Sequence, residues 1–329
     1  MFYKSIHIIS FFIFLHFSVS AQEIHFSQIA NNPLSLNPAS AGLFDGALRL
    51  GASYRSQGRS ISVPYNTYSG WGDMHLNLNK TGSTGLGLGM SVFSDNAGEG
   101  SLKTTSGYFN ASLIKGFNRD NTFRAALGFS VGFINKSVDF TKLVFDRQWN
   151  ETIFDPDAQS GEPYNGNSII SPDFAIGGII CWDINKEIKA TFGTSLNHIN
   201  KPKISFYESE NRMEYKLIIH TMINFKVNEQ IQLAPGAYFA VQQFANELMF
   251  GTNVLFVKNN MKFITGLWYR HERAIIPHLG FFVQDFTVEF SYDINISRLH
   301  IASNYRGGIE ISLLKTLSFK NKTPGCNAF

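Results

Sequence analysis

The stretch FRAALGFSVGF, residues 123–133, alternates between apolar side chains and small or polar ones. Phe123 and Leu127 fall on one face of this stretch, whereas Arg124 and Ser130 fall on the other. A period of two residues is the pattern of a β-strand whose faces meet different surroundings. We therefore expect this strand to separate an apolar medium from a more polar interior.

The same alternation recurs along most of the chain, for example over residues 48–55, 85–92 and 286–293. Such segments predict an all-β protein with about fourteen antiparallel strands, and an even number is typical of single-chain outer-membrane β-barrels. The predicted strands lie near residues 47–57, 65–78, 85–94, 101–117, 123–138, 171–183, 188–199, 213–226, 231–242, 247–256, 261–270, 275–283, 286–295 and 307–315.

The connections between the predicted strands differ in length. Short polar turns such as 184–187 and 284–285 alternate with connections that are often longer, notably 139–170, 200–212 and 296–306. Short periplasmic turns and long extracellular loops distinguish the two ends of an outer-membrane barrel. The pattern predicts a transmembrane barrel in contact with outer-membrane lipid, with both chain ends in the periplasm.

Aromatic residues recur where the predicted strands end. Phe117 and Trp182 adjoin short turns, and Phe93 and Tyr269 lie toward the opposite ends. This placement favours two aromatic girdles at the membrane interfaces. The alternative is a secreted β-sandwich or soluble barrel, but small residues on the inward face suit a lumen better than a packed core.

The first 21 residues have the features of a secretory signal peptide: a cation at Lys4, an apolar run over 6–17 and small residues up to Ala21. Cleavage after Ala21 would start the mature chain at Gln22. We therefore divide the chain into a signal peptide (1–21), a periplasmic Asn/Pro-rich N-terminal segment (22–46), a β-barrel (47–315) and a periplasmic C-terminal tail (316–329).

Composition limits the classes of partner. The net charge of +3 and the absence of a basic cluster argue against nucleic acid. The two cysteines, Cys181 and Cys326, exclude a scaffold built on disulfides. They are either one disulfide or two unrelated thiols.

Two motifs could suggest chemistry, and neither has the required context. Gly128 to Gly132 matches G-x-S-x-G, but Ser130 lies within an unbroken strand pattern, whereas a nucleophilic serine needs a strand-to-helix turn. Gly85, Gly87 and Gly89 lack the following helix of a phosphate loop. Their pattern is better explained by a strand bend or by close approach of another backbone.

The sequence offers no convincing metal site. Residues 155–162 carry spaced oxygen ligands, but they do not follow the EF-hand pattern, so calcium is an alternative to a solvated loop. The histidines show no zinc-ligand spacing. We expect no cofactor, no metal and no enzymatic activity.

Charged residues also occur on the predicted inward face of the strands. They could line a pore or close one by pairing with each other, and the sequence leaves both alternatives open. These candidate lumen-lining residues are Arg49, Arg55, Asp73, Arg124 and Glu289.

The stretch NNPLSLNPASAG, residues 31–42, contains two Asn-Pro steps. Proline fixes φ and favours extended geometry in the residue before it, so we expect an ordered extended arm outside the sheet. Its apolar side chains need burial, which favours a plug in the barrel mouth over a docking strap for a periplasmic partner. The candidate plug or docking residues are Asn32, Pro33, Leu34, Leu36, Asn37, Pro38 and Ala39.

Several short motifs follow each other along the chain: FSQ (26–28), NPLSLNPASAG (32–42), YRSQ (54–57), LVFDRQ (143–148), NHINKP (197–202), WYR (268–270), YD (292–293) and GIEISL (308–313). Together they resemble the PorP/SprF family of Bacteroidetes outer-membrane proteins, which are associated with type IX secretion and gliding motility. The chain departs from that family at Gly58, where a tryptophan is frequent, and in the order of its tail residues 324–329.

The resemblance implies an outer-membrane barrel that performs no chemistry. Its implied partners are a secreted adhesin or other cargo with a type IX C-terminal domain, or a periplasmic peptidoglycan-binding protein. A channel for small or hydrophobic solutes, with the N-terminal segment as its plug, is the alternative function. An enzyme on a barrel frame ranks third.

Overall fold

A computed structural model describes residues 24–317 except 62, 80–82, 99, 119, 150–151, 156–157, 164–165, 208–210 and 259–260. The predicted signal peptide lies outside the described residues. The strands are β1 (Leu48–Gln57), β2 (Tyr65–Asn77), β3 (Thr84–Ala97), β4 (Leu102–Gly116), β5 (Phe123–Ser137), β6 (Ser168–Asp183), β7 (Ile188–Asn197), β8 (Lys216–Lys226), β9 (Ile231–Gln242), β10 (Ala245–Lys258), β11 (Met261–Arg270), β12 (Ala274–Val283), β13 (Phe286–Asn295) and β14 (Arg306–Leu317).

The fourteen strands form one closed antiparallel barrel. Each strand pairs with its neighbours in sequence, and β1 also pairs with β14 over Leu48 to Ser56. Closure satisfies the backbone groups of every strand and leaves no sheet edge, as a spanning sheet in hydrocarbon requires. The predicted all-β barrel of fourteen strands is confirmed. Among the described residues, no helix is long and apolar enough to cross a membrane.

The alternation that predicted the strands separates two different surfaces. In β5, the Leu127 side chain on the outer face is 71% exposed, whereas Ser130 on the inner face is 4% exposed. The inner faces of β1 and β13 likewise bury Arg55 and Glu289. The apolar outer face meets lipid, and the small and polar inner face encloses the lumen.

The two ends of the barrel differ. The start of β1 and the end of β14 lie at the end formed by the short turns, such as 184–187 and 284–285, which we call the turn end. The long connections 138–167, 198–215 and 296–305 lie at the opposite end, the loop end. Residues 316 and 317, assigned to the tail from the sequence, belong to β14, and the rest of that tail lies outside the described residues.

The long connections at the loop end pack against each other. The ring of Phe140, in the β5–β6 loop, packs edge to face against Phe206 of the β7–β8 loop at 6.1 Å. Within the β5–β6 loop, Trp149 and Phe154 form an isolated β-bridge. Asp139 lies near the start of this loop. The hydroxyl of Thr141 donates a hydrogen bond to the Asp139 carboxylate and lowers the pKa of that carboxylate.

The aromatic residues at the strand ends are only partly as expected. Phe117 and Trp182 are exposed on the outer face near the turn end. Phe93 was assigned to the opposite girdle and this is wrong, because it is buried in the lumen, where its ring centroid lies 6.2 Å from that of Phe26. It lies one residue beyond the outward-facing Val92, so strand parity turns its side chain inward.

Two open alternatives fall partly outside the described residues. Cys181 is buried on the inner face of β6 and is not a free thiol. Cys326 lies beyond the described residues, so a bridge between the two stays a prediction. Of the residues considered for calcium, Pro156 and Asp157 also lie outside the described part of the chain.

Candidate functional site

Residues 24–46 lie inside the barrel, and we call them the lumenal segment. Their partners belong to strands on every side of the closed sheet: Ser53 on β1, Ser112 on β4, Ser195 on β7 and Glu310 on β14. A short stretch can reach all of these strands only from within the lumen. The segment joins β1 at the turn end, as its predicted periplasmic position requires, but its described residues lie in the lumen and not below it.

The segment is not the extended arm that the prolines predicted. Residues Pro33–Leu36 form a single α-helical turn, α1, and Pro38–Ser40 form a 3-10 turn. Proline is well suited to the first position of a helical turn, since its fixed φ fits and it has no N–H to leave unpaired. Of the two asparagines that precede a proline, Asn37 has the expected extended geometry and Asn32 does not.

The two asparagines of the Asn-Pro steps attach the segment to opposite walls. The Asn32 amide donates to Ser53 Oγ at 3.1 Å, and its carbonyl oxygen accepts from Ser69 Oγ at 2.7 Å. The Asn37 amide donates to the carbonyl oxygens of Gly178 at 3.1 Å and Thr194 at 3.0 Å. Asn32 thus binds β1 and β2, and Asn37 binds β6 and β7.

The apolar residues of the segment pack against the lumen wall. Leu34 is buried with Trp71 of β2, and Ala39 is buried against Ile114 and Ala126. Leu36 packs, partly buried, against a cluster of β8, β9 and β11 side chains. The remaining candidate residues of the segment, Pro33 and Pro38, are buried as well.

Two glycines of the wall let the segment backbone approach closely. A Cβ on Gly87 would lie 1.8 Å from the carbonyl oxygen of Ala41, and one on Gly128 would lie 2.2 Å from the nitrogen of Ala39. Both distances are far below van der Waals contact, so any side chain at either position would displace the segment. For Gly87, close backbone approach is one of the two explanations that the sequence left open, the other being a strand bend.

A buried cluster of charges holds the start of the segment. The Glu310 carboxylate accepts from the backbone N–H groups of Ser27, at 2.7 Å, and Gln28, at 3.1 Å. Arg55 forms ion pairs with Glu310 at 3.0 Å and with Asp293 at 2.7 Å. Buried charges are costly unless they are paired and hydrogen-bonded, and here the segment supplies two of the hydrogen bonds.

The Ser27 hydroxyl lies at the centre of this charge cluster. It donates to Asp293 Oδ1 at 2.7 Å and accepts from Arg270 Nη2 at 2.9 Å and from Arg55 Nη1. Arg270 also pairs with Asp293 at 2.7 Å. Removing the segment would replace the Ser27 hydroxyl and the two backbone N–H donors by water around these charged groups.

Three other candidate lumen residues, Arg49, Asp73 and Arg124, are paired outside the charge cluster. Arg49 and Asp73 pair at 3.0 Å near the turn end, where Asp73 Oδ2 also accepts from the backbone N–H of Gly42 at 2.8 Å. Arg124 pairs with Asp183 at 3.0 Å. Glu289 lines a small cavity next to Asn31 of the segment.

Arg55 is the one candidate lumen residue in the charge cluster. The sequence did not identify its partners Asp293, Glu310 and Arg270 as site residues. Their inward parity could have found them, since Glu310 alternates with the outward-facing Ile309 and Ile311. Their assembly follows from barrel closure, which pairs Arg55 of the first strand with Glu310 of the last.

A closed fourteen-stranded sheet with an apolar outer surface and a polar inner surface defines an integral outer-membrane β-barrel protein. The family described as "Type IX secretion system membrane protein PorP/SprF" matches residues 18–314. The chain belongs to this family, and the family resemblance of its motifs is confirmed. No curated protein matches the sequence.

Solved structures with the same fold include two barrels described as transport proteins. One is the Ralstonia pickettii toluene transporter TbuX, with 10% identity and a TM-score of 0.52, covering 88% of this chain and 94% of that one. The other is the CymD monoaromatic hydrocarbon channel, with 10% identity and a TM-score of 0.51, covering 89% of this chain and 94% of that one. At this identity the similarity concerns the fold alone.

Proposed function

We propose that this protein is a non-enzymatic docking barrel of the type IX secretion and gliding system. In this proposal its loop end retains secreted cargo, such as an adhesin with a type IX C-terminal domain, at the cell surface. Anchoring of a periplasmic peptidoglycan-binding protein at the turn end is the other form of the same role. Membership of the family supports a role in type IX secretion. The lumen is filled by residues 24–46, which favours a docking frame rather than an open pore.

The observation that carries the proposal is a set of exposed apolar side chains on the β5–β6 loop. Val144 is 73% exposed, Trp149 55% and Ile153 61%, and all three lie in the connection that follows the end of β5 at Ser137. The loop is folded against its neighbour through Phe140 and Phe206. Exposed apolar residues on an ordered surface are typical of protein-binding sites.

The proposal is tested by co-purification from native outer membranes. A Val144→Asp, Ile153→Asp double variant should lose a secreted protein that the unchanged barrel retains. Ile61→Asp is the matched control, because Ile61 is exposed to 49% on a different connection at the same end. Retention of every partner by the double variant would contradict docking through this loop.

A channel for small or hydrophobic solutes is the second candidate function. The fold shared with TbuX and CymD favours it. The lumenal segment would then have to move for a solute to pass. Steady conductance of the purified, unchanged barrel in planar bilayers would favour the channel, whereas a closed barrel that recovers cargo from membranes favours docking.

The proposal excludes covalent chemistry at the G-x-S-x-G motif. Ser130 lies within β5, where it is paired with Ala175 of β6, and a strand continues on both sides of it. A nucleophilic serine of this motif needs the strained turn into a helix that exposes its hydroxyl. Hydrolysis of a lipid ester that disappears on Ser130→Ala would contradict this part of the proposal.

A further inference from the structure

A cavity lies between the lumenal segment and the wall formed by β3 to β9. Its volume is about 90 Å³, and its lining includes Asp173, Asn197 and Lys216, which lie near the loop end of their strands. One buried water needs only roughly 10–15 Å³. The cavity therefore has room for a small organic molecule, such as one with a single ring or a short alkyl chain.

Most of the surface of the cavity is apolar. The lumenal segment contributes Phe26, Ile29 and Leu34, and the wall contributes Phe93 and Ile218. These side chains come from both sides of the cavity, so a molecule between them would bury apolar surface on two faces. A mostly apolar cavity with a few polar groups is the usual form of a small-molecule site.

The polar groups converge at one side of the cavity, around the buried carboxylate of Asp173. Its Oδ2 accepts from the hydroxyl of Tyr108 at 2.8 Å, and both its oxygens lie 3.0 Å from His198 Nδ1. A carboxylate has about four lone-pair positions, so two partners leave capacity for another donor. The hydroxyl of Ser130 lines the same cavity.

The charges around the cavity favour an uncharged ligand. Among the described residues that line it, Asp173 is the one carboxylate and would repel an anion. Lys216 lines it as well and would repel a cation. A neutral hydroxyl can donate to the carboxylate without adding a charge to the lumen.

We propose that this cavity binds a small uncharged amphipathic molecule, an alcohol or phenol with one ring or a short alkyl chain. Its hydroxyl group donates to Asp173, and its apolar part packs between Phe26 of the lumenal segment and Ile218 of β8. The site is independent of cargo docking, since it lies inside the barrel and the docking loop lies beyond its wall. Binding would also stabilise the segment in the lumen, because the segment forms half of the site.

The test uses the mature barrel in lipid nanodiscs and the probe 4-fluorophenol, followed by ¹⁹F NMR. Specific binding saturates, whereas partition into lipid rises linearly and also occurs in empty nanodiscs. We expect saturable binding of 4-fluorophenol. 4-Fluorotoluene, which lacks the hydroxyl, should bind about tenfold more weakly, the effect of one lost hydrogen bond.

Two variants fill the cavity and one serves as their control. Ala175→Phe and Ser130→Leu place larger side chains in it and should each abolish saturable binding. Val131→Phe is the matched control, because Val131 adjoins Ser130 on β5 but points to the lipid side, and binding should be unchanged. Heat-modifiable gel migration reports folding, so if one filling variant fails to fold the other decides.

The inference is overturned by any of three results. These are a lack of saturable 4-fluorophenol binding to the unchanged barrel, equal binding of 4-fluorotoluene, and binding that persists in a folded cavity-filling variant. Tighter binding of 4-fluorobenzoate than of 4-fluorophenol would overturn the uncharged ligand class. None of these results bears on cargo retention, so the proposed function stands or falls separately.

Discussion

Replacing Glu310 by glutamine should release the start of the lumenal segment. Glu310 accepts two backbone N–H groups of the segment, from Ser27 and Gln28, and pairs with Arg55 at 3.0 Å. Glutamine has the same shape, but its side-chain NH₂ group is a donor. It would face N–H donors of Ser27, Gln28 or Arg55 that the Glu310 carboxylate accepts. Arg55 keeps Asp293 as its only other carboxylate partner in the charge cluster.

The magnitude follows from the hydrogen bonds that Glu310→Gln removes. A hydrogen bond to a charged group contributes about 1.5–3 kcal/mol. Losing one such hydrogen bond to the segment and weakening the others should reduce the free energy that holds the segment in the lumen by about 3 kcal/mol. Because 1.4 kcal/mol is tenfold in an equilibrium constant, the ratio of closed to open lumen should fall by roughly a hundredfold. The strand hydrogen bonds of β14 are unaffected, so the barrel itself should persist.

The assay is single-channel recording in planar bilayers, with the fraction of time spent open as the readout. Asp183→Asn is the matched control. Asp183 is the acid of another lumenal ion pair, with Arg124 at 3.0 Å. In the described structure this ion pair makes no hydrogen bond to the segment. Glu310→Gln should open far more often than Asp183→Asn or the unchanged barrel. Equal open fractions in all three would refute the role of the charge cluster.

Three further predictions concern the wall and the lipid face. Gly128→Ala should displace the lumenal segment, because the added Cβ would lie 2.2 Å from Ala39 N. Gly70→Ala is the control and should leave the segment in place, because the space around Gly70 is open. Protease access to the segment distinguishes the two variants. Asn37→Ala should weaken attachment to β6 and β7 by about 1–3 kcal/mol through lost buried hydrogen bonds, and faster amide exchange at Ala39 would report it. Leu127 lies within β5, whereas Phe117 follows the end of β4 at the turn end, so Leu127 lies deeper in the membrane. Leu127→Arg should therefore destabilise the barrel by about 2–4 kcal/mol and Phe117→Arg by about 0–1 kcal/mol, as measured by urea titration in vesicles. Equal effects would contradict this difference in depth.

The sequence predicted the barrel well because lipid and lumen impose different demands on alternate residues. The contrast between Leu127 and Ser130 in β5 repeats on most strands, and the predicted strand ends agree with the structure to within three residues. Strand number and connection length then followed without further information. Phe93 is an exception, because its position near a strand end is typical of a girdle residue, whereas its inward parity places it in the lumen.

The position of the lumenal segment could not be derived from the sequence. Its prolines indicated order but not the helical turns at Pro33–Leu36 and Pro38–Ser40, since the same residue suits extended and helical starts. Its contacts come from strands far apart in the chain, and only closure brings them around it. Arg55 and Glu310 are 255 residues apart in sequence and directly paired in the barrel.

The claim that residues 24–46 fill the lumen is tested most directly by hydrogen–deuterium exchange of the mature barrel in nanodiscs. The backbone amides of Ser27, Gln28 and Gly42 are bound by buried carboxylates and should exchange as slowly as those of β5. The described residues of the β1–β2 connection, 58–61 and 63–64, provide the fast reference. Exchange of the segment at the rate of that connection would contradict a filled lumen.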